Sequence, residues 1–102
     1  MSARRARAFD ARPHEDALRE RIDRLDVLIG GALAERSRIA ERIGRARTDA
    51  GGEPRDKYRE AFVLARMLDA HDLAGGLYPE ETLREMYRLL FSAAPALRSP
   101  DA

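Results

Sequence analysis

Apolar residues between positions 18 and 47 recur in steps of four and three, the spacing of a helix that packs lengthwise against other helices. The series is Leu18, Ile22, Leu25, Ile29, Ala32, Ile39, Ile43 and Ala46. It predicts one long amphipathic helix from about His14 to Thr48. The pair Gly30-Gly31 opposes this helix, since each glycine costs about 1 kcal/mol relative to alanine. Because the apolar series keeps its phase on both sides of the pair, the helix is predicted to be continuous.

Two shorter helices are predicted after this one. Residues 49–54 form a loop that is rich in glycine and ends in a proline, which opposes helix continuation. Asp56 is a suitable N-cap for a second helix from about Lys57 to His71. A third helix begins at Pro79, since proline is favoured in a first helical turn, and Pro95 should end or kink it.

Each of the shorter helices carries an apolar stripe. The predicted inward residues are Tyr58, Ala61, Phe62, Ala65, Met67 and Leu68 in the second helix and Leu83, Met86, Tyr87, Leu90 and Ala94 in the third. No segment alternates as a half-buried strand would. The predicted fold class is therefore all-α, a three-helix chain whose very long first helix exceeds what a self-contained bundle of this size needs.

The composition agrees with this architecture and adds a domain plan. Of 102 residues, 36% are charged and 6% are aromatic, which is typical of helices with solvated faces. The plan is a disordered leader at 1–13, one helical domain at 14–98 and a polar tail at 99–102. The absence of cysteine excludes disulfides and thiolate metal sites, and no apolar run is as long as a membrane span. A reduced, soluble, cytoplasmic protein is expected.

Charge is unevenly distributed. The overall net charge is +1, but the leader holds four arginines and one aspartate, a net +3. A basic leader could contact nucleic acid, but arginines without interleaved aromatic residues are more typical of a solvated tail. We therefore predict neither a nucleic-acid nor a membrane partner.

Arg36 occupies the position where the next apolar residue of the long helix is due. An unpaired guanidinium costs several kcal/mol to desolvate, so an anionic group should meet it. Arg47 lies about 20° around the helix and roughly 16 Å further along it, on the same face. Two interpretations of Arg36 are open: it binds an anionic ligand together with Arg47, or it is a buried residue paired with Glu60 or Asp56.

Arg19 cannot serve the same site within one straight helix. It is separated from Arg47 by roughly 42 Å of helix. If Arg19 contributes to that site, it must come from a second copy that lies antiparallel, which predicts a homodimer. Otherwise Arg19 is an ordinary surface residue.

The remaining residues exclude several kinds of chemistry. His14 and His71 lack ligand-like spacing, so no metal site is predicted, and no serine has a partnered histidine. What remains is the arginines and a cluster formed by Asp56, Arg59 and Glu60. Such a set can bind a small, multiply anionic molecule through charge-assisted hydrogen bonds. Asp56 could equally be only an N-cap, and Glu60 only a surface partner in an i,i+4 pair.

These residues resemble a known family. The resemblance is carried by Leu18-Arg19-Glu20-Arg21-Ile22-Asp23-Arg24-Leu25-Asp26, Ala34-Glu35-Arg36, Ile43-Gly44-Arg45-Ala46-Arg47 and Arg59-Glu60. Their order and spacing are similar to the all-helical, type II (AroQ-type) chorismate mutases, and most similar to a compact subclass from high-G+C bacteria. The resemblance covers the first helix, the loop and the start of the second helix, and it fades in the third.

The resemblance implies an intertwined homodimer with two active sites and no cofactor. It implies that Arg36 binds a substrate carboxylate and that Arg19 is supplied by the partner chain. Arg47 takes the place of a cation that contacts a carboxylate and the ether oxygen. Glu60 would hold the substrate hydroxyl, Arg59 would support binding, and Asp56 would lie near that hydroxyl.

One departure from the family concerns the third helix. The family has a serine and a glutamine or glutamate at places where Ala94 and Arg98 fall here. The hypothesis is that the enzyme alone is slow, or works best with the first synthase of the shikimate pathway as partner.

Three functions are therefore considered. The first is a chorismate mutase of aromatic amino acid biosynthesis, an isomerase that forms prephenate. The second is a sister enzyme on the same scaffold, acting as an isochorismate pyruvate lyase or on amino-deoxychorismate. The third is a non-catalytic helical dimer that docks to another enzyme.

Overall fold

A computed structural model describes residues 11–53 and 55–97 of the chain. Its regular elements are α1 (Arg12–Asp49), α2 (Lys57–Leu73), α3 (Glu80–Ala93) and a short 3-10 turn (Ala94–Ala96). These two ranges contain no strand. The prediction of an all-α chain with three helices, the first much the longest, is confirmed.

The first helix starts two residues earlier than predicted. Arg12 and Pro13 belong to α1, and the Glu15 N–H donates to the Ala11 carbonyl at 2.9 Å. Pro13 fits here because the first turn has no acceptor for its missing N–H. Residues 1–10 of the predicted leader, and the predicted tail at 99–102, lie outside the described residues.

The glycine pairs of this chain behave in two different ways, one inside a helix and two at helix ends. α1 passes through Gly30-Gly31 without a break, as predicted. The two later glycine pairs end helices instead. At the first of them, Gly51 has a φ of 79°, and the Gly52 N–H donates to the Arg47 carbonyl at 2.8 Å. This is a Schellman motif, in which glycine supplies the left-handed residue after the helix.

The second glycine pair repeats the motif at the end of α2. Gly75 has a φ of 75°, and the Gly76 N–H donates to the His71 carbonyl at 2.8 Å. The His71 ring also accepts a hydrogen bond from the Tyr78 N–H at 3.4 Å. Helix α2 ends at Leu73, two residues beyond the predicted end, because the glycine motif begins only after that residue. The chain then turns into α3.

The chain divides into two compact units inside α1. The described residues up to Glu35 form the first unit, and those from Arg36 onwards form the second. The first unit is a helical segment whose seam residues are all exposed, from 42% for Leu18 to 56% for Ile22 and Leu25. The second unit holds the end of α1, both shorter helices and the turn.

In the second unit α2 packs on α3, through a face of α2 that only partly coincides with the predicted stripe. Tyr58 is 92% exposed and Phe62 is 50% exposed, whereas Val63, Leu64 and Leu68 are half-buried. The predicted stripe of α2 is therefore right for Leu68 and wrong for Tyr58 and Phe62, because apolar residues occur on both sides of α2 and periodicity cannot choose between them.

The stripe of α3 is largely as predicted. Its half-buried residues are Leu83, Tyr87, Leu90, Phe91 and the adjoining Ala94. Met86, which was predicted to face inward, is 50% exposed. No residue in the described ranges is fully buried, so the single chain has no closed core. Among the described helices, none has the combination of length and apolarity needed to cross a membrane.

Candidate functional site

Arg47 is held by the loop that follows its own helix. Its backbone carbonyl accepts from Gly52, and its Nε donates to the Glu53 carbonyl at 2.8 Å. Its Nη1 lies 3.7 Å from the Asp56 carboxylate, with 36% of the arginine side chain exposed. The guanidinium is therefore fixed in position but still accessible to a ligand.

Asp56 joins this loop to the second helix. One carboxylate oxygen caps α2 by accepting from the Arg59 N–H at 3.0 Å, which confirms the predicted N-cap. The other oxygen faces Arg47. Asp56 thus has a structural role and also contributes negative charge beside the arginine.

Glu60, in the first turn of α2, is bound by Arg55. The Nε and Nη2 atoms of Arg55 donate to the two carboxylate oxygens at 2.9 and 2.8 Å. This side-chain hydrogen bond, followed by the charge of Arg55, lowers the pKa of Glu60 below its ordinary value, although partial burial opposes the effect. The same pair raises the pKa of Arg55. Glu60 is therefore an ionised hydrogen-bond acceptor at neutral pH.

Three further arginines lie over aromatic rings. The Cζ of Arg36 is 6.0 Å from the centroid of the Phe91 ring, so Arg36 joins α1 to α3. The Cζ of Arg59 is 5.3 Å from the centroid of Phe62, and Arg66 approaches the same ring at 5.5 Å. These distances are typical of cation–π contacts.

The proposed pairing of Arg36 with Glu60 or Asp56 does not describe this chain. Glu60 accepts from Arg55, and Asp56 accepts from the Arg59 N–H and faces Arg47. Arg36 is half-buried beside Phe91. Its guanidinium therefore retains its hydrogen-bonding capacity toward an anion, because contact with an aromatic face uses none of its N–H groups.

Arg19 belongs to the first unit and makes a local contact. Its Nη2 donates to Glu15 at 2.6 Å, and its side chain is 69% exposed. Such an exposed i,i+4 pair contributes little to stability, typically about 0.3–0.5 kcal/mol.

The structure thus brings Arg47, Asp56 and the first turn of α2 together, with Glu60 in that turn. The polar groups described in this region are arginine side chains, the carboxylates of Asp56 and Glu60, and backbone groups. No three histidine or acidic side chains within the described ranges are placed to hold a metal ion. The arrangement can bind a multiply anionic molecule that also carries a hydroxyl donor.

The end of α3 adds no free hydroxyl to this region. Ala94, at the place where the resemblance led us to look for a serine, begins the 3-10 turn. The nearby Ser92 hydroxyl donates to the Arg88 carbonyl of its own helix at 2.8 Å. Arg98 lies outside the described residues.

Arg55 and Phe91 were not singled out from the sequence. Arg55 precedes Glu60 by five residues and stands outside the helix, so the i,i+4 rule for helical pairs does not point to it. A signal was present, since a basic residue before an N-cap can reach an acid of the first turn. Phe91 lies beside the predicted α3 stripe, and no sequence pattern indicates that an arginine of α1 covers it.

Comparison with known proteins covers most of the chain. Residues 18–98 match the family model described as chorismate mutase type II. A bifunctional chorismate mutase/prephenate dehydratase of Aquifex aeolicus is 35% identical over 81 residues, which span 78% of this chain and 22% of that protein. No solved structure gives a significant match.

Two mycobacterial relatives match over shorter stretches of this chain. The intracellular chorismate mutase of Mycolicibacterium smegmatis is 41% identical over 62 residues, covering 61% of this chain and 60% of that protein. That of Mycobacterium tuberculosis is 39% identical over 66 residues, covering 61% of this chain and 63% of that protein. The resemblance to proteins of high-G+C bacteria is confirmed. With a family match over residues 18–98 and an all-helical fold, the chain belongs to the type II chorismate mutase family.

Proposed function

We propose that this protein is a chorismate mutase, an isomerase that rearranges chorismate to prephenate without a cofactor. The observation that carries the proposal is the placement of Arg47, a cation fixed by the Glu53 carbonyl and Asp56 yet partly accessible. Family membership supports the same reaction.

The reaction explains why the region needs no acid–base residue. In the concerted [3,3] shift an ether C–O bond breaks while a C–C bond forms, and no proton moves. The protein must hold the flexible dianion in its compact, reactive shape, which is an entropic contribution. It must also stabilise the negative charge that develops on the ether oxygen. A prepositioned donor typically supplies about 3–4 kcal/mol of such stabilisation.

Each residue of the region has a role in this proposal. Arg47 stabilises the ether oxygen and a carboxylate, and Arg36 binds a carboxylate from beside Phe91. Glu60 accepts a hydrogen bond from the substrate hydroxyl. Arg59 supports binding near the start of α2, and Asp56 orients Arg47 and lies near the hydroxyl.

The active protein is proposed to be an intertwined, antiparallel homodimer. Its support is the exposed apolar seam of the first unit, which includes Leu18, Ile22, Leu25 and Ile29. Burying apolar surface stabilises by about 25 cal/mol per Å², so this seam favours a second helix over water. In such a dimer Arg19 of one chain would complete the site of the other.

We also propose that a partner enzyme activates this protein. Because the methyl side chain of Ala94 cannot donate a hydrogen bond to the substrate, we expect the isolated enzyme to be slow and the first shikimate-pathway synthase to activate it. If the synthase from the same source leaves turnover unchanged, activation is disproved. A cytoplasmic location is proposed as well, since two relatives are described as intracellular.

The decisive experiment follows the loss of chorismate absorbance while prephenate is quantified. Prephenate should form in a one-to-one ratio with chorismate consumed. Parallel reactions with isochorismate, monitored for salicylate and pyruvate, and with amino-deoxychorismate test the sister enzymes. Arg36→Ala should abolish nearly all activity while circular dichroism stays unchanged. If no substrate reacts and Arg36→Ala changes only stability, the protein is a docking module instead.

A further inference from the structure

We propose that Arg55 is a positioning residue for the reaction: its guanidinium fixes the Glu60 carboxylate in the orientation that accepts the substrate hydroxyl. This inference rests on the proposed function and adds a residue to it. Arg55 itself need not touch the substrate.

Arg55 differs from the arginines of the Arg45–Glu41 and Arg84–Glu80 pairs in its place in the fold: those two pairs each lie within one helix, and the first is also bidentate, with Glu41 11% exposed. Arg55 stands in the loop before α2 and binds both oxygens of Glu60. By contrast, Arg84 binds Glu80 within α3, where both side chains are more than half exposed. The Glu60 side chain is only 18% exposed. Because Arg55 belongs to the loop, its two hydrogen bonds tie the Glu60 carboxylate to the loop as well as to its own helix, which the pairs within one helix do not do.

The clamp leaves Glu60 able to bind a ligand. An ionised carboxylate offers about four acceptor positions on its two oxygens. The Arg55 contacts occupy one position on each oxygen. A substrate hydroxyl can therefore donate to either oxygen while the ion pair stays intact, and the carboxylate is already oriented when the substrate arrives.

Several charged groups surround Glu60. Asp56 and Lys57 are its near neighbours in sequence, and they act on its pKa in opposite directions. An open recess of about 340 Å³ adjoins the ion pair, and its charged lining residues are Arg55, Lys57, Glu60, Arg84 and Arg88. Arg88 is paired with Glu85, and Arg84 with Glu80. Arg55 is therefore the cation whose hydrogen bonds act on Glu60 directly.

The direction of the pH effect follows from the pair. Arg55 lowers the pKa of Glu60, so the carboxylate remains ionised down to a more acidic pH than a free glutamate. Without Arg55 this pKa should rise. The acidic limb of the kcat/KM profile should then move to higher pH, since the hydrogen bonds and charge that favour the ionised carboxylate are lost.

The experiment measures kcat/KM against pH for the full-length protein and for Arg55→Gln, Arg55→Lys and Glu60→Gln. We expect Arg55→Gln to lower kcat/KM at neutral pH by about 10- to 100-fold, as misplacement of a contact group does. In Arg55→Lys the acidic limb of the kcat/KM profile should stay close to its wild-type pH, because the positive charge is kept. The value of kcat/KM at neutral pH should nevertheless fall, because the two-point contact is lost. Arg84→Gln removes an arginine from the same recess and should change neither quantity.

A double variant gives the sharper result. If Arg55 acts through Glu60, adding Arg55→Gln to Glu60→Gln should produce little further loss, since coupled residues are non-additive. An unmoved acidic limb, or losses that multiply in the double variant, would overturn the proposal. If Arg55→Gln does not fold, Arg55→Lys decides by its rate and its pH profile. A wild-type protein that forms no prephenate contradicts the proposed function, whereas an active wild type with an unaltered Arg55→Gln contradicts only this inference.

Discussion

Arg19, in the first unit, and Arg47, in the second, are both arginines of α1, but they are held differently. Among the described residues, the Arg19 side chain pairs with Glu15, one turn back along the same helix, and is mostly exposed. Arg47 is bound through its backbone by Gly52 and through its side chain by Glu53 and Asp56. The first arrangement depends on helix geometry alone, whereas the second needs the loop and α2.

The apolar residues of the two units differ in the same way. In the first unit the seam is uncovered, with Ile22 and Leu25 each 56% exposed. In the second unit, Leu64 and Leu90 are half-buried where α2 and α3 pack together. The comparison indicates that the second unit organises its polar groups within one chain, whereas the first unit leaves exposed the apolar seam that the proposed homodimer would cover.

The largest effect is expected where the second unit fixes its cation. Arg47→Ala should lower kcat about 10²- to 10³-fold, because a prepositioned donor to the developing negative charge is lost. The fall in kcat is measured from the turnover of chorismate. Arg38→Ala, which removes an exposed arginine of the same helix, is the matched control and should leave turnover unchanged. Equal effects of the two substitutions would contradict a specific role for Arg47.

The role of the first unit can be tested by mixing inactive chains. Arg19→Ala and Arg36→Ala should each be nearly inactive as homodimers. If one chain supplies Arg19 and the other Arg36, a heterodimer of the two variants contains one intact site. A random equimolar mixture, unfolded and refolded together, should therefore recover about a quarter of wild-type activity.

No recovery in that mixture, with heterodimers verified by mass spectrometry under native conditions, would show that Arg19 does not act across the dimer. Refolded wild-type protein is the control for losses during refolding. This outcome would leave Arg47 and the second unit as the whole site.

The two roles of Asp56 can be separated by two substitutions. Asp56→Ala removes the N-cap of α2 and should destabilise the protein by about 1 kcal/mol. Asp56→Asn keeps a capping oxygen, so its thermal midpoint should stay close to that of the wild type. It nevertheless removes the charge 3.7 Å from Arg47, and its turnover should fall. If Asp56→Asn turns over chorismate as fast as the wild type, Asp56 acts only as the N-cap of α2.

The smallest effects compare a glycine from each unit. Nothing lies within 4 Å of a Cβ added at Gly31, so Gly31→Ala should stabilise the helix by about 1 kcal/mol. A Cβ at Gly76 would overlap the His71 ring and displace its hydrogen bond from Tyr78. Gly76→Ala should therefore destabilise by about 1 kcal/mol.

Thermal unfolding at several protein concentrations measures both glycine variants. If Gly31→Ala lowers the midpoint, and does so more at low concentration, a second helix approaches the glycine pair closely. In that case the glycine pair has a role in the dimer, because the missing Cβ allows the partner's helix to pack closely at this point.

Much of the fold could be predicted from local sequence signals. Loops and caps were located by Asp56, the glycine pairs and the prolines, because each of these residues acts on the few backbone groups beside it. The face of α2 could be predicted only in part. Phe62 and Leu64 lie on different sides of that helix, and only packing against α3 decides which of them is covered.

The three helices, the arginine in the seam and the resemblance to the family could be predicted from residue type and spacing along one chain. The partners of the charged groups depend instead on how the helices and the loop fold together. Glu60 pairs with Arg55, Arg36 lies over Phe91, and Arg47 is bound by the Glu53 carbonyl. A long arginine side chain can reach several acceptors, so its partner depends on where the loop and neighbouring helices place them, which no spacing rule within one helix specifies.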